Sequence, residues 1–230
     1  MAISVFDGAS RQVTKPASTR VAMFGGTYDP VHIGHLRSAV ELREALMLDH
    51  VHMVPAHVPP HRNDPAISGQ SRLEMLRLGI GDTPGLIADD RELSRNGPSY
   101  SVDTLACLRE AYGDGACLIM AVGHDAFLKL AQWHRPERLF ELANLVVIDR
   151  PGHTGALPHE LVDLIRERMV ETPEALMASP AGRVLRMALS TALPISATDI
   201  RARCRRGESI RYLVPDAVAS YLEVSGAYRE

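Results

Sequence analysis

At 230 residues, 46% hydrophobic and 23% charged, the chain has the composition of one water-soluble globular unit and is too short for two full domains of about 100–200 residues each. A formal net charge of −3 with scattered arginines offers no polyanion-binding surface, so no nucleic acid is expected as a partner. No apolar run approaches the roughly 18 residues of a membrane span, and Cys107, Cys117 and Cys204 are odd in number with no C-x-x-C pair, which argues against a disulfide framework or zinc site and points to a reducing cytoplasm.

Residues 1–18 are polar and aperiodic apart from Ile3, Val5 and Phe6. They lack the basic start and long apolar core of a signal peptide, and are expected to form a flexible extension ahead of a single domain over 19–230. The apolar run ending at Met23-Phe24 reads as a buried strand, and a helical pattern with Leu36, Ala39, Val40 and Met47 on one face begins near Gly34. Between them lies Gly25-Gly26-Thr27-Tyr28-Asp29-Pro30-Val31-His32-Ile33-Gly34-His35. Adjacent glycines let the backbone approach a ligand, and the helix turns its free N–H groups and positive dipole end toward the same place. An anion is expected there, flanked by His32 and His35 on the first helical turn, and a nucleotide phosphate fits best. The stretch matches neither G-x-G-x-x-G nor the Walker loop. The chain's only lysines are Lys15 and Lys129, so a triphosphate is expected to be held without lysine, by arginine, histidine and backbone amides.

Val51 to Val54 reads as a second strand, followed by a proline-stiffened loop, 55–62, that carries His57, His61 and Arg62. His57 reads as an exposed loop histidine, and with no third ligand in view a metal site at His57 and His61 is weaker still. Leu73, Leu76 and Ile80 mark a helix over 70–80, and Leu86 to Ala88 a short strand. A loop from Arg91 enters a helix that starts near Ser101 and runs to about Tyr112, with Ser101 and Thr104 as capping residues. Cys117 to Val122 is a central strand leading into Gly123-His124-Asp125, then Trp133-His134; Leu145 to Ile148 is a further strand closed by Arg150-Pro151-Gly152. Leu161, Leu164, Ile165 and Met169 predict an amphipathic helix, and residues 153–180 show no chemistry. Val184 to Met187 reads as a last strand. In Ser196-Ala197-Thr198-Asp199-Ile200-Arg201, Ser196 with Asp199 reads as a capping box, and the two hydroxyls and Arg201 at a helix start make a second anion site. A closing helix follows through Val218, Tyr221 and Leu222.

The H-x-G-H of His32 to His35 matches the nucleotidylyltransferase superfamily, and the longer G-G-T-Y-D-P-V-H-I-G-H-L resembles its bacterial nicotinate-nucleotide adenylyltransferase branch, with Tyr28 where Phe is usual. The resemblance continues through Pro59-Pro60-His61-Arg62, with Arg62 for a usual Lys, and Arg95 to Leu105, with Ser101 for a usual Thr. It extends through Gly123-x-Asp125, Trp133, Arg150-Pro151-Gly152 and Ile195 to Arg201, with Ala197 for a usual Ser, and so spans roughly residues 20–225. His124 stands where a smaller or uncharged residue is usual, and its role is open.

The strand and helix alternation implies an α/β fold, a Rossmann-like doubly wound parallel sheet with flanking helices and a small C-terminal helical part. The resemblance implies ATP plus nicotinate mononucleotide giving deamido-NAD and pyrophosphate, with Mg²⁺ accompanying ATP rather than tightly protein-bound, no protein metal site, and a homodimer as one compatible state. It implies catalysis by His32, His35 and Arg201. ATP falls to Gly25, Gly26, Thr27, His32, His35, Gly123, Asp125, Ser196, Thr198 and Arg201, and the mononucleotide to Tyr28, His61, Arg62, Ser101, Trp133, His134 and Arg150. Rival readings are an acceptor such as nicotinamide mononucleotide or phosphopantetheine, and a non-catalytic nucleotide sensor on the same fold.

Overall fold

The computed structural model describes residues 19–57, 65–95, 97–149 and 156–229. The expected extension over 1–18 therefore lies outside the described residues, as do His61, Arg62 and Arg150. The chain runs β1 (Arg20–Gly26), α1 (Ile33–Ala45), β2 (His50–Pro55), α2 (Gly69–Ile80), β3 (Leu86–Ala88), α3 (Ser101–Tyr112) and β4 (Cys117–Gly123). It continues through the one-turn α4 (His124–Phe127), a 3-10 turn (Leu130–Gln132), α5 (Pro136–Leu142), β5 (Asn144–Asp149), α6 (His159–Ile165), β6 (Met169–Val170), α7 (Pro173–Met177), β7 (Val184–Ala188), α8 (Ala197–Arg206) and α9 (Asp216–Ser225).

The strands form one sheet in the order β3-β2-β1-β4-β5-β7-β6, and every neighbouring pair is parallel. A parallel sheet must be covered on both faces, and the period of two along each strand supplies two cores. In β4, Cys117, Ile119 and Ala121 face the layer that holds Leu42, Met75, Leu76, Val218 and Leu222. Leu118, Met120 and Val122 face the layer that holds Leu105, Leu108, Leu139, Phe140 and Leu161. The sheet is thus doubly wound, as expected, and α8 and α9 form the C-terminal helical part. Among the described residues no helix is long and apolar enough to cross a membrane.

Two sequence expectations are corrected. Met47 is not on the core face of α1: it follows the helix end with φ 49° and is 70% exposed, while Leu42 and Leu46 take the buried side. Met169 is not on the helix of Leu161 and Ile165 but in strand β6. α6 stops at Ile165, the amide of Arg168 closes the turn onto Ile165 O at 2.8 Å, and Arg168 O then accepts from Val184 N at 2.8 Å, drawing the next two residues alongside β7. β7 is the last strand in chain order, as expected, and lies in the sheet between β5 and the edge strand β6.

The topology also fixes where a ligand can sit. The order reverses between β1 and β4, and the crevice at the carboxyl ends of strands where the winding switches is the binding place of open α/β sheets. Here β1 ends at Gly26 and β4 at Gly123.

Candidate active site

A cleft of about 560 Å³ opens at that switch point, and its lining brings together Gly25, Gly26, Thr27, Tyr28, His35, Ser101, Gly123, Asp125, Trp133, His134, Thr198 and Arg201. Residues spread over nearly the whole described chain therefore meet in one continuous space.

The β1–α1 turn is shaped by packing between its own side chains. Tyr28 is 1% exposed, and its hydroxyl donates to Phe24 O at 2.6 Å. Burial first and the charge of Glu92 second push that hydroxyl far above the ordinary tyrosine range. The ring lies over Gly26, where an added Cβ would come within 2.9 Å of it. Tyr28 is thus a strut of the wall, with its polar end already committed.

His32 is the N-cap of α1, and its Nδ1 accepts from His35 N at 3.3 Å. With Nδ1 accepting, the proton of a neutral His32 ring sits on Nε2. The His32 and His35 rings stack with centroids 3.6 Å apart, and His35 meets the Tyr28 ring edge-on at 5.0 Å. The glycine of H-x-G-H now has a steric reason, since a Cβ at Gly34 would lie 3.1 Å from His32 Nδ1. His35 lines the cleft, whereas His32 is buried behind it.

Beneath the turn lies a cluster of charges that the sequence pattern did not reveal. Asp29 is buried. Its Oδ1 accepts from Tyr228 Oη at 2.6 Å and its Oδ2 from Ala66 N at 2.8 Å. Arg201 Nη1 donates to Asp29 O at 2.7 Å. Arg72 on α2 is 1% exposed and donates from Nη1 to Thr27 O at 2.7 Å, so it holds the turn from behind. Burial lowers the affinity of Arg72 for its proton, and the charge of Asp29 opposes the change. The usable signal was there: Arg72 shares the i, i+4, i+8 row with the core residues Leu76 and Ile80. Tyr228, 199 positions beyond Asp29, carries no local signal at all.

The second expected anion site is only partly assembled as foreseen. Thr198 and Arg201 line the cleft, with Ala197, but Ser196 does not. Ser196 is the N-cap of α8 without a side-chain cap bond, and Asp199 accepts instead from Arg203 Nε at 2.8 Å. The capping box does not form because the arginine one turn on competes for the carboxylate. At α3 the N-cap is Tyr100 rather than Ser101, again without a side-chain cap bond. Thr104 turns inward, donating to Glu92 Oε1 at 2.7 Å and accepting from Arg95 Nη2 at 2.6 Å.

The other end of the cleft is aromatic. Trp133 is half-buried and packs against the core, and His134 stacks on Tyr100 with centroids 4.3 Å apart. Ser99 Oγ accepts from His57 N at 2.7 Å, which ties the loop after β2 to the loop before α3. Lys129, one of the chain's two lysines, lines the same cleft. The one-turn α4 and the 3-10 turn fold the chain back on itself between Gly123 and Trp133. His124 is buried at the end of β4. Its Nδ1 lies 3.2 Å from Asp149 Oδ1, and Asp149 accepts two bonds from Arg186 at 3.0 and 2.9 Å. Burial would raise the Asp149 carboxyl, but these partners hold it below the usual carboxylate range. Among the described residues no group of three His, Cys, Asp or Glu side chains could hold a metal ion.

A cytidylyltransferase-like family model matches residues 23–203. Over 209 residues the chain is 62% identical to the probable nicotinate-nucleotide adenylyltransferase of Chromohalobacter salexigens, covering 91% of this chain and 95% of that one. The chain belongs to the nicotinate-nucleotide adenylyltransferase family. A second such protein, from Halorhodospira halophila, is 45% identical over 208 residues, with 90% and 94% covered. The family's fold is also met in the solved structure of Plasmodium falciparum nicotinic acid mononucleotide adenylyltransferase complexed with NaAD. The TM-score is 0.67 over 91% of this chain and 97% of that one, and at 15% identity the likeness is one of fold.

Proposed function

We propose that the protein transfers the adenylyl group of ATP to nicotinate mononucleotide, giving deamido-NAD and pyrophosphate in a cytoplasmic step of NAD synthesis. The observation that carries this reading is the single cleft with two unlike ends. The glycine turn, His35, Thr198 and Arg201 form one end, and Ser101, Trp133 and His134 the other.

A phosphomonoester has its second pKa near ~6, so at neutral pH the acceptor is already an anionic nucleophile and requires no protein base. One of its phosphate oxygens attacks the α-phosphorus of ATP in line, that P–O bond forms, and the bond from the α-phosphorus to the bridging oxygen breaks, so the electron pair leaves with pyrophosphate. The protein aligns the two phosphates and stabilises charge on the departing group. His35 and Arg201 are assigned that role, and His32 orients His35 through its stacked ring and capped amide. Gly25, Gly26, Thr27, Gly123, Asp125 and Thr198 shape the ATP end. The placement of Ser196 outside the lining supports only an indirect role for it.

At the acceptor end Trp133 would stack on the pyridine ring. Ser101, the amides of its helix turn, His134 and Lys129 would meet the carboxylate, with His61, Arg62 and Arg150 assigned to the mononucleotide by resemblance alone. The donor set fits Mg²⁺ carried by ATP, since Mg²⁺ is commonly held by substrate phosphates and water and supplies charge neutralisation on the pyrophosphate. Pyrophosphate release from ATP tests the function: it is expected to require nicotinate mononucleotide, and ATP breakdown that ignores the acceptor would refute it.

A further inference from the structure

Asp29 and Tyr228 have no part in that chemistry, yet their contact lies directly behind it. The Tyr228 side chain is buried, its backbone is in the left-handed region with φ 67°, and its hydroxyl reaches Asp29 Oδ1 at 2.6 Å. A bulky residue in that region is strained and persists only where its surroundings over-determine it. Tyr28, one residue before Asp29, is held in the same region with φ 50°. Two strained tyrosines thus bracket one buried carboxylate.

That carboxylate is in a position to compete with substrate. Arg201 donates from Nη1 to Asp29 O at 2.7 Å, and the same nitrogen lies 3.7 Å from Asp29 Oδ2. Its other terminal nitrogen reaches Thr198 Oγ1 at 3.3 Å, and both residues line the cleft. Tyr228 and Ala66 each occupy one oxygen of Asp29. While both are engaged, the carboxylate cannot turn to close a two-pronged pair with the guanidinium, the geometry arginine favours.

We propose that Tyr228 is a positioning residue of the adenylyl-transfer site: its hydroxyl fixes the Asp29 carboxylate, and Asp29 so fixed leaves Arg201 extended toward the phosphate end of the cleft. The proposal rests on the reading of that end as the ATP site. Removing the hydroxyl leaves Oδ1 of a buried carboxylate short of a donor, and Arg201 Nη1, 3.7 Å from Oδ2 of the same carboxylate, is a cation already within ion-pair distance of it. The guanidinium is then drawn down onto Asp29 and away from the triphosphate. Burial, then the bond to Asp29 and its charge, push the Tyr228 hydroxyl far above the ordinary tyrosine range, so it remains a donor at every working pH.

The test is Tyr228→Phe in the full chain, which keeps the ring in the core. The KM for ATP is expected to rise about tenfold with the mononucleotide KM within about twofold of wild type, and in an Arg201→Ala background the same change should add less than about twofold, since coupled sites are not additive. An unchanged ATP KM, an equal rise for both substrates, or effects that multiply with Arg201→Ala would overturn the proposal. Asp29→Asn is the second variant: it takes the charge from beneath Arg201 at nearly the same volume, and must itself shift the ATP KM and be non-additive with Tyr228→Phe. If Tyr228→Phe does not fold, an unchanged ATP KM in Asp29→Asn is enough to overturn the proposal. Titration calorimetry of ATP on the same variants separates the two levels. A wild-type chain that binds ATP but does not turn over nicotinate mononucleotide refutes the function, and equal ATP affinity in wild type and variants refutes the positioning role.

Discussion

At the end of the cleft under the β1–α1 turn, polar groups are tied to one another, with Asp29, Arg72 and Tyr228 buried and Arg201 half-buried: Asp29 to Tyr228, Arg201 to the Asp29 backbone, Arg72 to Thr27. At the end formed by α3 and the segment before α5 the wall is made of ring faces, with His134 stacked on Tyr100 and Trp133 half-buried beside them. The first construction suits a place where charge develops, since donors fixed beforehand have no reorganisation to undergo during reaction. The second suits a flat aromatic ligand, where area and stacking matter more than the direction of any one bond. Substitutions at the two ends should accordingly fail in different ways.

The sharpest break is expected at His35. Losing one preorganised donor typically costs about 10²–10³ in kcat, so His35→Ala should lower kcat far more than it raises the KM for ATP in steady-state kinetics. A variant with near-normal turnover would remove the turn from the chemistry. Arg201→Ala comes next, and should weaken ATP by roughly tenfold or more, as truncating a charged hydrogen-bonding group does, with the mononucleotide little affected. Equal effects on both substrates would erase the contrast between the ends.

Trp133→Ala carries the opposite signature. Stacking a base on an aromatic is worth ~1–3 kcal/mol, and a pyridine ring of similar character should lose a comparable amount, seen as a higher mononucleotide KM with that for ATP unchanged. A Trp133→Phe variant that restores most of the affinity would sharpen the assignment to stacking.

The smallest effect is one of stability, and it concerns how α1 is held in place. Glu41 on α1 accepts from Ser190 Oγ and Thr191 N, both at 3.2 Å, and from Arg37 Nε at 2.9 Å. Burial alone would raise its carboxyl, but the bonds from Thr191, Arg37 and Ser190 prevail and hold it down at about 2, from 4.5. A carboxyl lowered on folding contributes stability that is complete above its unfolded pKa and is lost as pH falls through the folded one. Glu41→Gln should therefore destabilise at neutral pH and flatten the decline in melting temperature between about pH 4.5 and 2. An unaltered slope would mean that Glu41 does not anchor α1.

The fold was legible wherever the signal was local. The doublet of glycines between an apolar run and an i, i+4 pattern gave the β1–α1 turn, and α3 runs over Ser101–Tyr112 as its spacing predicts. What stayed hidden depends on closure in three dimensions. Met169 continues a helical period yet pairs as a strand, because a β7 neighbour was on offer once α6 had ended. Ser196 and Asp199 have capping-box spacing, but Arg203 one turn away binds the carboxylate. Lys129 enters the cleft only because the chain doubles back after β4, and no window on the sequence pairs Asp29 with Tyr228.

The central claim is that this cleft joins ATP to the nicotinate rather than the nicotinamide mononucleotide. A carboxylate and an amide differ in that the first only accepts hydrogen bonds, so a site lined by the α3 amides, Ser101, His134 and Lys129 should reject the amide by leaving donors unpaired. The direct measurement is kcat/KM for the two mononucleotides with the same enzyme, ATP and Mg²⁺. A ratio of at least about 10² in favour of nicotinate mononucleotide is predicted, within the range that unpaired polar groups impose, and equal values or a preference for the amide would contradict it.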